Sequence, residues 1–269
     1  MVMKKSISII IPVYNEAKYL PACLQAIADQ TIKPDEVLVV DNNSTDDSVA
    51  IAQSFPFVTL VNAPKQGIVE ARNIGFDAAK SDIIARIDAD TTMPTNWISR
   101  VHQFYDGGNN DTKALTGGGY FYNVRWPRFN GWIQSQLAYR LNRLIIGHYV
   151  LWGSNMAFPR QLWLNVRNST CERQDIHEDL DLSFHLHNLG VAITYHGRLR
   201  VGVCLKRVYS ERKYVHMHMK RWPQTLRVHG YYYWWLATIG NWFLWYIMQP
   251  LLFFLEYGAQ LFGKKPLNK

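Results

Sequence analysis

Cysteine is scarce in this chain. Cys23, Cys171 and Cys204 stand far apart and no Cys-x-x-Cys pair occurs, so the sequence carries no signature of zinc or dithiol redox chemistry, and the odd number reads as reduced, cytosolic thiols. Nor is a secretory signal expected from the opening residues. Lys4 and Lys5 precede the apolar Ile7 to Ile11, but Pro12, Asn15 and Glu16 stop that run well short of a signal peptide, and the catalytic part is expected to stay in the cytosol. No Gly-x-Gly-x-x-Gly follows the first predicted strand, which argues against a dinucleotide site. Acidic residues are nearly absent from Arg200 to Gly230, where eight Lys or Arg face Glu211 alone, a local charge of +7 in a chain whose formal net charge is +8. Charge of either sign is then absent from Gly230 to Leu255, a stretch crowded with Tyr, Trp, Phe and Leu. A basic strip beside an aromatic segment fits an anionic membrane surface better than nucleic acid.

What remains is ample for a folded core. The chain has 269 residues, 48% of them hydrophobic, enough for one large domain or a domain with an appendage. Ser6 to Ile11 reads as a strand, followed by a loop over Pro12 to Glu16 and a helix to about Gln30 with Leu20, Leu24 and Ile27 on one face. Glu36 to Val40 is a second strand ending at Asp41. Asn42, Asn43, Ser44 and Thr45 offer turn and N-cap chemistry for a helix from Asp46 to about Ser54. Phe57 to Val61 is a third strand, Gly67 opens a helix through Ala79, Ile83 to Ile87 is a fourth strand, and Leu115 to Tyr122 continues the sheet. Gly117, Gly118 and Gly119 let the backbone pass close to a ligand or a neighbouring strand, close packing being the favoured cause. Strands alternating with helices predict a mostly parallel α/β sheet flanked by helices on both faces, with ligands bound outside the carboxyl ends of the strands.

Three polar clusters fall at such ends: Tyr14 to Glu16, Asp41, and Asp88-Ala89-Asp90. In extended chain Asp88 and Asp90 point to the same side, roughly 6 to 7 Å apart at their Cα atoms. Two carboxylates that close call for positive charge, and a hard divalent cation carrying a phosphate satisfies both. An exposed turn with two solvated acids is the plain alternative.

Together, Pro12-Val13-Tyr14-Asn15-Glu16, Val39 to Asp46, Gly67 with Ala71-Arg72-Asn73, and Asp88-Ala89-Asp90 resemble the nucleotide-sugar-binding half of family-2 glycosyltransferases with the GT-A fold, and the resemblance extends to about Leu189. It implies a GT-A-type, Rossmann-like sheet and an inverting transfer of sugar from a nucleotide diphosphate sugar with Mg²⁺ or Mn²⁺. Pro12, Tyr14, Glu16 and Asp41 would then line the nucleoside, Arg72 would lie near the base or phosphates, Asp88 would reach ribose or donor sugar, and Asp90 would ligate the metal. Against this, Asp41 also suits a helix cap, Tyr14 a core aromatic, and Arg72 a surface ion pair.

The same resemblance marks Gly153-Ser154-Asn155-Met156-Ala157-Phe158 as an acceptor-side segment near the donor sugar, with Gly153 admitting the substrate and Asn155 offering its amide; a tight strand entry is the plain alternative. The resemblance also gives Asp179, in His177-Glu178-Asp179-Leu180-Asp181, the place of the general base beside Glu178. An acidic first helical turn accounts for Glu178 and Asp181 without catalysis. His218-Met219-Lys220-Arg221-Trp222 resembles a degenerate Gln-x-x-Arg-Trp motif of processive members, with His218 departing at the first position against long-polymer synthesis; Arg221 and Trp222 would meet diphosphate or acceptor, and a basic amphipathic membrane-surface helix fits the stretch equally. Arg125 to Ile146, with Trp126, Phe129, Trp132, Ile133, Leu137, Leu141 and Leu144, reads as core or membrane contact.

The expected layout is a catalytic domain over 1–205, its nucleotide-sugar half about 1–122 and its acceptor half about 123–205, followed by a basic and aromatic membrane-associated region over 206–269. Gly230 to Leu255 is long enough to span, which takes about 20 apolar residues, but Thr238, Asn241, Gln249 and Pro250 interrupt it, and Lys264, Lys265 and Lys269 make both flanks basic. An interfacial or re-entrant helix with its rings at headgroup level serves equally, and a buried aromatic helix in a dimer is a third reading. The implied partners are a nucleotide diphosphate sugar, a lipid-linked or glycan acceptor and membrane lipid. A sugar-phosphate nucleotidyltransferase would carry a Gly-rich loop with Lys or Arg after the first strand, where this chain has Val13 to Glu16. A non-catalytic membrane adaptor would not need both acidic motifs.

Overall fold

The computed structural model describes residues 4–108, 110–122, 129, 131–132, 139–140, 142–204 and 212–243. Trp126, Ile133, Leu137, Leu141 and the lysines after residue 243 lie outside them.

The described residues form a seven-stranded sheet ordered β3-β2-β1-β4-β6-β5-β7. The strands are β1 (Ile7–Val13), β2 (Glu36–Asp41), β3 (Val58–Asn62), β4 (Ile83–Arg86), β5 (Lys113–Phe121), β6 (Met156–Pro159) and β7 (Ala192–Val203). The helices are α1 (Leu20–Ala28), α2 (Ser48–Gln53), α3 (Ile68–Ala78), α4 (Trp97–Asp106), α5 (Asn142–Ile146), α6 (Arg160–Val166), α7 (Glu178–Asn188), α8 (Arg212–Val228) and α9 (Trp234–Phe243). β1 runs parallel to β2 and β4, β2 to β3, and β5 to β7, while β6 is antiparallel to both its neighbours. Six strands therefore point one way, as the predicted mostly parallel sheet requires.

Apolar side chains cover both faces. Ile7, Ile9 and Ile11 pack with Leu20 and Leu24 of α1 and Trp97 and Val101 of α4 on one face. Ile10, Leu38 and Val40 pack with Phe76 of α3, Trp163 of α6 and Leu182 of α7 on the other. This two-sided burial explains why the central strands read as unbroken apolar runs. β1 continues past Ile11 through Pro12 and Val13, paired to β2. Its last pair with β4 is Ile10 to Arg86, so Pro12, with no N–H to give, lies beyond that ladder.

Two local expectations change. Asp88 and Asp90 do not lie in extended chain: β4 ends at Arg86, and the Thr91 N–H donates to the Asp88 carbonyl (3.0 Å), closing a turn. The helix expected from Asp46 starts at Ser48, because Asp46 accepts from the Ser48 and Ala17 N–H groups (each 3.0 Å) and acts as a staple before the helix. Of the aromatic stripe, Phe129, Trp132 and Leu144 are exposed rather than core.

The C-terminal helices pack on the sheet domain. Ile146, Val150, Leu180, Phe184, Leu226 and Ala237 form a third apolar cluster with Trp222 and Tyr231 against it. No helix among the described residues is long and apolar enough to cross a membrane.

Asn155 locks the entry to β6. It is fully buried, accepts from the Trp97 Nε1–H at 3.0 Å, and donates to the Gly118 carbonyl at 2.9 Å and the Leu199 carbonyl at 2.8 Å. A Cβ on Gly117 would fall 2.4 Å from its amide nitrogen and 1.9 Å from the Leu199 oxygen, so the glycine run serves close packing. Asn155→Ala strands these buried partners at ~1–3 kcal/mol for each, and urea denaturation is expected to show a loss of about 3 kcal/mol.

Candidate active site at the carboxyl edge of the sheet

The loops after β1 and β2 are fastened by asparagine. Asn15 and Asn43 take left-handed conformations, φ 54° and 65°, which Asn tolerates better than most residues. Asn15 Oδ1 accepts from the Thr45 N–H at 2.7 Å and the Asn15 N–H donates to Ser44 Oγ at 3.1 Å. Asn42 bridges to the third loop, donating to the Ala63 and Lys65 carbonyls and accepting from the Gly67 N–H at 2.7 Å. Asp41 accepts from the Ser44 N–H at 3.1 Å, so its turn-forming role is real. Tyr14 is 43% exposed and Asp41 half-buried at the same edge, whereas Glu16 is buried, its N–H donating to Ser48 Oγ at 2.8 Å.

The centre of the site is Arg86, the last residue of β4 and only 2% exposed. Its Nη1 donates to Asp179 Oδ1 at 2.7 Å, and its Nη2 reaches Asp88 Oδ1 at 3.2 Å and Glu178 Oε1 at 3.3 Å. Because β6 is reversed, the residues preceding Met156 lie beside the end of β4. The Gly153 N–H accordingly donates to Asp179 Oδ2 at 2.6 Å, and Ser154 Oγ donates to Asp88 Oδ2. Any Cβ at Gly153 would sit 2.7 Å from Asp179 Oδ2 and 2.8 Å from the guanidinium. Gly153 thus admits a carboxylate rather than a substrate.

The charges are unevenly settled. Burial lowers the proton affinity of Arg86, but Asp179, Asp88 and Glu178 more than reverse this and fix it as a cation. Burial raises Glu178, yet His177, Arg86 and Arg72 together hold it down at about 2. Asp179 goes the other way: burial, helped by the charge of Glu178, outweighs Arg86 and pushes it up to about 6.

Several candidates fall elsewhere. Arg72, expected near the donor, is fully buried; its Nη1 donates to the Glu178 carbonyl at 2.8 Å and its Nε to Asn73 Oδ1 at 3.0 Å. It braces α7 from behind. Asn155, expected to offer its amide to the acceptor, spends it on the Gly118 and Leu199 carbonyls. Trp222 does reach the acidic helix, its ring 5.7 Å from that of His177, while the Arg221 Nε is buried without a hydrogen-bond partner. Arg86 itself was not among the candidates, although a lone arginine in the apolar run Ile83 to Ile87 is the signal that marks it.

The edge has oxygen donors suited to a hard cation. Asp90 is half-buried, its carbonyl accepting from the Tyr122 hydroxyl at 3.2 Å. Asp90, Asp88 and Glu16 all lie near enough to the Cys23 thiol to add to the upward push of its burial. A half-buried carboxylate at this strand edge suits a Mg²⁺-class ion, which takes one or two carboxylates and fills its shell with phosphates.

Residues 8–163, more than half of the chain, match the family model described as Glycosyl transferase family 2. The chain is 30% identical over 139 residues to glycosyltransferase GlyG of Streptococcus pneumoniae serotype 4, covering 50% of this chain and 46% of that protein. It is 34% identical over 113 residues to the undecaprenyl-phosphate 4-deoxy-4-formamido-L-arabinose transferase of Pseudomonas syringae pv. syringae, covering 39% and 34%. The match therefore spans less than half the length of either relative. Among solved structures, the mannosyltransferase PcManGT from Pyrobaculum calidifontis, in complex with GDP-Man and Mn²⁺, superposes with a TM-score of 0.62 at 18% identity, over 98% of this chain and 77% of that one. The likeness extends to the GT-A fold.

Gly153→Ala is expected to destabilise the protein by about 2 kcal/mol, the usual cost of overpacking, and to loosen the Asp179–Arg86 pair. Equilibrium denaturation reads this directly; an unchanged midpoint would mean the loop yields without strain.

Proposed function

The chain belongs to glycosyl transferase family 2, and from that premise we propose that it transfers a sugar, with inversion, from a nucleotide diphosphate sugar to a lipid-linked acceptor at the cytosolic face of a membrane. The observation that carries this reading is the meeting of the β1 and β2 loops, the Asp88–Asp90 turn and the N-terminus of α7 at one sheet edge. Tyr14 and Asp41 stand where a nucleoside would lie, and Asp88, braced by Arg86 and Ser154, faces ribose or donor sugar. Mg²⁺ or Mn²⁺, held by Asp90 with the diphosphate, would supply the positive charge that a leaving nucleotide demands.

Asp179 is the group suited to general-base work. The acceptor hydroxyl gives its proton to the Asp179 carboxylate as its oxygen bonds to the anomeric carbon; the bond from that carbon to the diphosphate oxygen breaks, and the nucleotide leaves with the electron pair. Such help contributes typically ~10²–10⁴ in rate. Arg86 positions the carboxylate and, as a permanent cation, keeps it anionic at working pH. Trp222, against His177, offers a ring beside the acceptor approach.

The lipid-linked acceptor is supported by the surface beside α7. On α8 Lys220 and Arg227 are exposed, and on and before α9 Tyr232, Tyr233, Trp235, Ile239 and Trp242 are exposed. Aromatic rings flanked by cations suit an anionic lipid interface, and the undecaprenyl-phosphate transferase relative is named for such a lipid.

Nucleotide release from a panel of sugar nucleotides, with protein on anionic vesicles containing lipid extract, tests the reading. One donor should be consumed only with metal and lipid; Asp179→Asn should bind it yet turn over ~10²–10⁴-fold more slowly, and Asp90→Asn should lose the metal response. Normal turnover by Asp179→Asn would place the base elsewhere. Because Asp179 must be unprotonated to act, and is raised to about 6, kcat/KM should be full above that pH and fall tenfold per pH unit below it. A limb near pH 4 would show a carboxylate with no upward shift.

A further inference from the structure

On the side of α7 turned away from Arg86, four side chains from three separate segments meet. Asp181 is fully buried two residues after Asp179. His185, one turn on, lies with its Nε2 3.4 Å from Asp181 Oδ1, and His229, just past α8, brings its Nε2 to 2.8 Å from the same oxygen. Cys171, in the segment between α6 and α7, donates its N–H to Asp181 Oδ2 at 3.0 Å. One ligand atom of each, the Cys171 sulfur included, lies within 4.8 Å of all the others.

We propose that Cys171, Asp181, His185 and His229 form a structural zinc site that fastens the C-terminal helices to the helix carrying Asp179. Zinc takes a thiolate, imidazoles and a carboxylate in a tetrahedron, with bonds of about 2.0–2.3 Å that set ligand atoms about 3.3–3.7 Å apart. The observed cluster needs a contraction of about 1 Å at its widest to reach that geometry. A soft sulfur with two imidazoles favours zinc over the hard magnesium class. The His185 Nε2 is buried, and its contact with Asp181 Oδ1 at 3.4 Å is too poorly aligned to count as a formed hydrogen bond. A shared cation gives that nitrogen a use. Four protein ligands leave no open position, which marks a structural site rather than a catalytic one. The surroundings suit this, since the Phe184 ring lies 4.7 Å from that of His229 and the two histidine rings stand 5.1 Å apart. Binding displaces the thiol proton of Cys171 to solvent and makes the metal affinity pH-dependent.

The test uses the full chain, stripped with chelator and titrated with Co²⁺ and then Zn²⁺. An Asp90→Asn background keeps the donor edge out of the measurement. The site predicts one Co²⁺ per chain with the visible bands of a tetrahedral ion and a thiolate charge-transfer band, all displaced by one equivalent of Zn²⁺. Cys171→Ser should lose the charge-transfer band, and His229→Gln should weaken Zn²⁺ binding at least tenfold. Wild-type Tm should climb until one equivalent of Zn²⁺ is bound, as binding to the folded state alone requires. Absence of a thiolate band in the wild type overturns the proposal, whether or not the variants fold. So does a band that survives Cys171→Ser, which would assign it to Cys23 or Cys204.

Discussion

A guanidinium taken out of water at the end of a central strand is the constraint on which the rest of this edge depends. Arg86 cannot shed its proton, so the fold must bring carboxylates to it, and it recruits three: one just past its own strand, and two successive residues at the start of α7. Removing one partner from such a buried pair typically costs 3–5 kcal/mol, because the other charge is left stranded. The cluster thereby couples segments more than ninety residues apart. Arg72 reinforces it from below, holding the Glu178 carbonyl while its own guanidinium lies 5.8 Å from the Trp163 ring.

The reversed strand β6 makes this convergence possible. Were it parallel to β4, its beginning would lie at the opposite end of the sheet, and Gly153 and Ser154 would be far from Asp179 and Asp88. Being antiparallel, with Met156 opposite Arg86, it delivers a backbone N–H and a hydroxyl to the two carboxylates that Arg86 also binds. The topology thus supplies both the cation and the neutral donors, and Asp179 has each oxygen engaged by a different element.

What was legible in the sequence follows from this. Strands buried on both faces leave a continuous apolar run, and β1, β2 and β4 were found within one or two residues of their ends. The loops at their carboxyl ends were legible because acids and asparagines are conspicuous after such runs. Polarity says nothing, however, about which way a side chain turns once the chain folds. Asn155 and Arg72 carry the same chemistry whether they face a ligand or a stranded carbonyl, and here they face carbonyls. Arg86 was overlooked for the converse reason: it sits inside an apolar run, where its neighbours mask it, yet burial of an arginine there demands acidic partners. The cluster of Cys171, Asp181, His185 and His229 has no sequence signature, since its spacing is set by the packing of α8 on α7.

That packing also bears on the start of α7. No side chain of the helix's own caps its N-terminus; instead the His177 N–H, at the cap position, donates to Thr225 Oγ1 of α8 at 2.8 Å. Thr225 is itself held by the Arg221 carbonyl, 2.6 Å from its hydroxyl, one residue before the Trp222 ring that meets His177. The orientation of Glu178 and Asp179 is therefore shared between Arg86 on the sheet side and α8 on the other. α8 leads into the exposed aromatic surface of α9, so the helix that carries the chain to that surface also holds the first turn of α7, through Thr225 and Trp222.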